Sequence, residues 1–336
     1  MTQTNSNNTH SIRLIKELQY PSGLFAAAAK HVTTGYNRAW IKDNIYEAMA
    51  FEHIGDWKTA LKTYHRILDI LRRNEYKIDW MIVQPYPKEA YRYIHARYDP
   101  ETGNEILEPW GNKQHQMVGL LLFKIGELAR KGIPVLRDEH DKIIVQKIVH
   151  YLEAVEYWQD MDNGEWEEAE ELHASSIGAC AAGLQSVKGI VHVPDELIKK
   201  GKEALNQLLP KESETKEVDM AQLALIWPLK IVTPKQRDAI LKNVEQYLVR
   251  DKGVIRYIGD KYYGNGKAAE WPLGFAWLAA IYKHLGIEHK HKFFLHKTET
   301  AMNEKGELPE LYYGMTSTHN ENTPLGWTQA LYVIAS

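Results

Sequence analysis

Apolar side chains recur at three- and four-residue steps along almost the whole chain, and this periodicity restricts the fold more than any other feature. In WKTALKTYHRILDILRR (57–73), Ala60, Leu61, Tyr64, Ile67, Leu68 and Leu71 fall on one stripe, as an amphipathic helix requires. Strand-like alternation never persists beyond a few residues. About twelve helical segments start near residues 11, 42, 57, 113, 137, 173, 194, 217, 234, 270, 287 and 323. Thr233-Pro234 supplies a cap followed by proline at a first helical position, and Pro194-Asp195-Glu196 places proline and acids in a first turn. Gly55 and Gly286 stand where helices should stop.

The connections alternate in character. Some are short, whereas residues 79–112, 159–172, 251–269 and 305–322 form long, aromatic and polar loops. Long loops on a helical scaffold usually carry function. Helices joined this way can build a bundle, a solenoid or a closed (α/α)6 toroid, and the lack of a repeat at fixed period argues against the solenoid. The expected architecture is all-α, a single-domain (α/α)6 toroid over residues 11–336, preceded by a disordered polar tail at residues 1–10. No Pro-, Gly- or Ser-rich linker divides it.

Composition excludes several function classes. The chain carries 41 Lys and Arg against 44 Asp and Glu, a net charge of -3, so no basic field exists to hold nucleic acid. No stretch approaches the roughly 20 consecutive apolar residues that cross a bilayer, since even QMVGLLLFKIGEL (116–128) carries Lys124 and Glu127. Cys180 has no second cysteine to pair with, and the polar start MTQTNSNNTH lacks an apolar targeting run, so a cytoplasmic location is expected. Ten Trp and 19 Tyr against 6 Phe favour rings with a polar handle, which suit a half-apolar, half-wet ligand.

Two acidic loops stand out, GEWEEAEELHASSIG (164–178) and GELPELYYG (306–314). Each sets a glutamate beside aromatic rings: Glu167 follows Trp166, and Glu310 precedes Leu311, Tyr312 and Tyr313. An inverting glycosidase needs such a pair, one carboxylic acid protonating the leaving oxygen while an opposed carboxylate activates water. Acidic loops are also commonly solvated, and Glu165, Glu168, Glu170 and Glu171 are expected to be so.

These loops, with NRAWIKDNIY (37–46), EPWGNKQHQ (108–116), GVIRYIGDKYY (253–263), AEWPLG (269–274) and PLGWTQALY (324–332), resemble glycoside hydrolase family 15 from about Tyr36 to the C-terminus. HASSIG, AEWPLG and PELYY are closest in wording to the related N-terminal domains of phosphorylase kinase alpha and beta subunits. The resemblance implies that Glu167 is the general acid and Glu310 the general base, with Trp166 excluding water from the acid. It implies that Trp40, Lys42 and Asp43 hold the terminal sugar, that Arg256 contacts it with Asp260 as orienter, and that Trp110, Trp271 and Trp327 line the pocket. Two positions depart from the family pattern: lysine replaces arginine at Lys42, and Gln116 stands where an aspartate is usual.

The implied activity is inverting, exo-acting hydrolysis of soluble α-linked gluco-oligosaccharides, with no metal and no cofactor. The alternative is a sugar-binding regulatory barrel without turnover. A third reading, a toroid epimerase using paired histidines, would draw on His115 and His173. His289, His291 and His296 lie in a lysine-rich segment that reads as a solvated face, and Cys180 sits among small residues that read as core.

Overall fold

The computed structural model describes residues 3–87, 89–108 and 110–336. Its helices are of two kinds, each explained by its sequence. α3 (Trp57–Arg73) buries Ala60, Tyr64, Ile67, Leu68 and Leu71 on one side. Asp56 caps it by accepting from the Thr59 amide at 3.2 Å, and Arg72 and Arg73 sit in the last turn, where cations complement the helix dipole. α10 (Pro234–Tyr247) begins with a reciprocal Thr233/Gln236 capping box and Pro234 in its first turn. By contrast α7 (Ala174–Val187) and α11 (Pro272–Leu285) are buried nearly all round, the pattern of a helix enclosed by other helices. α11 stops at Gly286, whose φ of 69° is the left-handed cap that glycine adopts without strain.

The enclosed helices form a ring. α2 (Ile41–His53) packs on α5 (His115–Arg130), α5 on α7, and α7 on the short α9 (Leu223–Ile226), which follows a 3-10 turn at Met220–Gln222. The ring continues from α9 to α11 and α13 (Gly326–Ala335), and α13 packs back on α2. This is the expected (α/α)6 toroid. Outside it, α1 (Gln3–Leu18) covers α13, α3 covers α2, α8 (Asp195–Leu208) covers α7, α10 covers α9 and α12 (Glu288–Thr300) covers α11. α6 (Glu139–Ala154) lies against α3 and against α4 (Glu75–Val83). α5 and α7 touch backbone to backbone: a Cβ on Gly119 would lie 2.3 Å from the Ala179 carbonyl carbon.

Two expectations need correction. Residues 3–10, read as a disordered tail, belong to α1, because packing on α13 supplies order that a polar composition does not suggest; Met1 and Thr2 lie outside the described residues. α4 lies in sequence read as the end of one helix and the start of a loop. The 79–112 loop is clipped to the ring by a two-stranded antiparallel sheet, β1 (Ala39–Trp40) against β2 (Arg97–Tyr98), too short to announce itself by alternation. The 251–269 and 305–322 segments are joined where Glu270 and Tyr312 exchange backbone hydrogen bonds of 2.9 Å. Each clip brings a long loop toward the same end of the ring.

Candidate active site

The loops surround a cavity that opens to solvent. Trp40, Lys42, Asp43, Trp110, Trp166, Glu167, Arg256, Trp271 and Trp327 line it, together with Tyr36, Glu165, Tyr262 and Leu325. Asp260 and Glu310 stand behind this wall, each touching a residue that forms it. Among the described residues no helix is long and apolar enough to cross a membrane.

Glu167 has φ of +62°, a left-handed backbone that a non-glycine residue adopts only where its surroundings hold it. Two indoles hold its carboxylate: Trp40 Nε1 donates to Oε1 at 2.6 Å and Trp110 Nε1 donates to Oε2. Trp40 comes from β1 at the entry to α2, and Trp110 from the 79–112 loop. The Arg97 guanidinium lies over the Trp110 ring at 4.1 Å and pairs with Glu108 at 3.0 Å, which fixes that loop over the cavity.

The first turn of α2 supplies Lys42 and Asp43, both buried. Lys42 Nζ donates to the Glu165 backbone carbonyl and lies 3.4 Å from Glu165 Oε1. Burial pushes the Asp43 carboxyl up to about 7; Lys42 opposes the rise, while Glu167 and Glu165 add like charge. Its Oδ1 is buried with no hydrogen-bond partner among the described residues, an acceptor facing the cavity.

The solvated reading of the neighbouring acids fails for most of them. Glu165 is buried against Lys42, because a charge so enclosed needs a counter-ion. Glu168 accepts from Arg256 Nη2 at 3.0 Å, Tyr257 Oη at 2.8 Å and Lys216 Nζ at 2.9 Å. Glu171 accepts from Thr215 Oγ1 at 2.8 Å, and Glu170 is exposed.

Arg256 is set by Asp260 four residues on, with Nε to Oδ2 at 2.8 Å and Nη2 to Oδ1 at 2.6 Å. Its guanidinium lies among rings, 4.7 Å from Tyr262, 5.3 Å from Trp166 and 5.5 Å from Trp271. Trp166 Nε1 donates to Asp219 Oδ1 at 2.8 Å. The buried indole nitrogens of Trp271 and Trp327 have no partner among the described residues, which leaves two donors at the cavity wall.

Glu310 is fully buried within a cage of donors: Tyr262 Oη reaches Oε1 at 3.2 Å, and the Asn320 and Asn322 amides reach Oε2 at 2.5 and 2.6 Å. Burial raises its pKa, while bonds from Tyr36, Asn322, Asn320 and Tyr262 hold the carboxylate form and limit the rise. The two glutamates are connected through contacts. Trp40 holds Glu167, the Tyr36 and Trp40 rings lie 5.3 Å apart, the Tyr36 and Tyr262 hydroxyls meet at 3.0 Å, and Tyr262 donates to Glu310.

Gln116 is buried in α5, its Oε1 accepting from the Met117 amide at 2.9 Å. The first turn of that helix is served by Asp162, which accepts from the His115 amide at 2.8 Å. His115 and His173 do not line the cavity; His115 Nε2 pairs with Asp160 at 2.8 Å and His173 Nδ1 with Glu212 at 3.5 Å, so the paired-histidine reading lacks its geometry. His289 and His296 are exposed and His291 is half-buried on α12. Cys180 is buried in α7, its thiol donating to the His115 carbonyl. Sequence reasoning missed Tyr36, Tyr262, Asn320 and Asn322. The excess of Tyr over Phe was the only signal for the first two, and nothing marked the asparagines.

Residues 6–196 match the model for glycosyl hydrolases family 15, more than half of the chain, and the chain belongs to that family. A probable phosphorylase b kinase regulatory subunit alpha of Caenorhabditis elegans is 24% identical over 88% of this chain, which spans 30% of that protein's length. Among solved structures, a glycosidase variant in complex with glucose superposes with a TM-score of 0.81 at 22% identity, over 99% of this chain and 95% of the other. A bacterial glucoamylase complexed with acarbose gives 0.71 at 15% identity, over 99% of this chain and 56% of that one. These likenesses show the toroidal fold.

Proposed function

We propose that this protein is an inverting, exo-acting hydrolase that releases glucose from soluble α-linked gluco-oligosaccharides, with Glu167 as general acid and Glu310 as general base. The observation that carries the reading is the pair of unlike glutamates joined through one aromatic cavity, Glu167 on its wall and Glu310 caged behind Tyr36 and Tyr262. Family membership and the glucose- and acarbose-bound neighbours support a sugar ligand.

The terminal glucose enters with its ring faces against indoles and its hydroxyls toward the free acceptor on Asp43 and the free donors of Trp271 and Trp327. Protonated Glu167 keeps its contact with Trp40 and turns the oxygen near the more exposed Trp110 to the glycosidic oxygen, delivering a proton as the C–O bond breaks. Water attacks the opposite face. Its proton passes to Glu310, the Tyr262 hydroxyl taking the water proton as it gives its own to Oε1. A direct inverting displacement needs the two carboxyl groups about 6.5 to 9.5 Å apart, against about 5 Å for a retaining pair.

The test is glucose release from maltose, isomaltose and maltotriose with anomer analysis: β-glucose from an α-substrate supports inversion, and α-glucose refutes it. Glu167→Gln should abolish maltose hydrolysis yet spare α-glucosyl fluoride, whose leaving group needs little protonation, while Glu310→Gln should impair both. A second reading, a sugar-binding regulatory barrel, is favoured by the regulatory-subunit relative and by the enclosure of Glu310. Maltose binding without cleavage of any α-glucoside would establish it.

A further inference from the structure

Across Trp110 from the cavity lies a second, open groove, built by α4 and the 79–112 loop. Trp110 lines both. The groove presents aromatic rings to solvent, with Tyr76, Trp80 and Tyr91 each about half exposed, and Tyr76 meets Trp80 edge-to-face at 4.9 Å. Such a patch on one side of a protein marks a binding surface.

Its floor is polar. His95 is 1% exposed, lines the groove, and neither ring nitrogen has a hydrogen-bond partner among the described residues. Glu105 Oε1, in the same lining, is likewise unpartnered, while Oε2 is taken by Lys77 at 2.7 Å. Buried polar atoms without partners are expensive, so they indicate what is meant to meet them. The cations are already neutralised: Lys77 by Glu105, and Arg97 beside the groove by Glu108. Burial, with Lys77 and Arg97 nearby, holds His95 down to about 4, so at neutral pH it offers one donor and one acceptor and no charge. An anionic ligand finds no free cation in this lining. A neutral polyol finds rings to stack on and groups that both give and accept hydrogen bonds.

We propose that this groove is a second carbohydrate site, taking the distal hexose units of an α-glucan chain whose end lies in the cavity. The choice of α-glucan rests on the function proposed above, and Trp110 is the shared wall across which one chain spans both. Trp80 carries the stacking face and His95 the hydroxyl contacts.

The experiment compares binding of maltose and maltoheptaose by calorimetry in the parent, Trp80→Ala and His95→Gln. Trp80 is about half exposed, so its removal leaves the fold intact. Maltoheptaose should bind the parent more tightly than maltose, and Trp80→Ala should weaken it about tenfold, the loss of roughly one aromatic stacking contact. Maltose binding and turnover should be unchanged in both variants. Loss of maltoheptaose binding in Trp80→Ala supports the site even if the parent cleaves nothing, which separates this proposal from the hydrolase reading. Equal affinity for maltoheptaose in parent and Trp80→Ala overturns it. So does a change confined to oligomeric mass, which would make the groove a protein interface.

Discussion

Replacing Asp43 by asparagine should stabilise the protein at neutral pH while weakening its hold on sugar. The carboxyl is 5% exposed, its Oδ1 has no partner among the described residues, and burial raises it from the ordinary 3.8 to about 7. Between those values the folded state keeps a proton that the unfolded chain has released, so stability falls as pH rises. The favourable contribution is whole below 3.8 and gone once the pH has passed 7. At about 1.4 kcal/mol per pH unit, the full cost reaches at most ~4.5 kcal/mol. Asparagine has nearly the same shape and no charge to desolvate. Urea unfolding of parent and variant from pH 4 to 8 should show curves that coincide at the acid end and separate as pH rises, the variant ahead by about 2 to 4 kcal/mol at pH 8. Maltose affinity should fall by about 10- to 100-fold, the worth of hydrogen bonds to a charged acceptor. A variant less stable than the parent at pH 8, or a difference independent of pH, would refute the assignment of strain to this carboxyl.

Other perturbations test the surrounding frame. Lys42→Met leaves Glu165 buried without the cation 3.4 Å away and should cost about 3 to 5 kcal/mol, with most of the loss restored by adding Glu165→Gln. A double-mutant cycle with coupling below about 0.5 kcal/mol would show that the pair is not coupled. Gly119→Ala drives a methyl to 2.3 Å from the Ala179 carbonyl carbon and should lower stability by at least about 2 kcal/mol, read as a lower urea midpoint. An unchanged midpoint would mean that α5 and α7 separate freely.

The three glutamates of the EWEE segment show where sequence reading stops. Glu165, Glu167 and Glu168 lie within four residues of one another, yet one pairs with Lys42, one is held by two indoles on the cavity wall, and one is bound by Arg256, Tyr257 and Lys216. Their partners come from β1 and α2, from the 79–112 loop, from the connection after α8 and from the 251–269 loop, so no local pattern distinguishes them. Glu310 is the same case: Tyr36 and Tyr262, distant in the chain, decide its environment.

Helical periodicity, capping signals and the order of the acidic and aromatic motifs were determined by the sequence alone, because each rests on neighbours a few residues away. The toroid was the expected one of the architectures that such helices allow, and its closure, with α13 packing back on α2, is a long-range contact that only the tertiary structure shows. Only the tertiary structure decided that residues 3–10 are helical, that α4 exists, and that the Asp43 carboxyl and the His95 ring are buried with polar atoms unmet among the described residues. Those outcomes depend on how much water the fold removes from each group and on which distant side chain replaces it, and desolvation is a property of the assembled ring rather than of any stretch of chain.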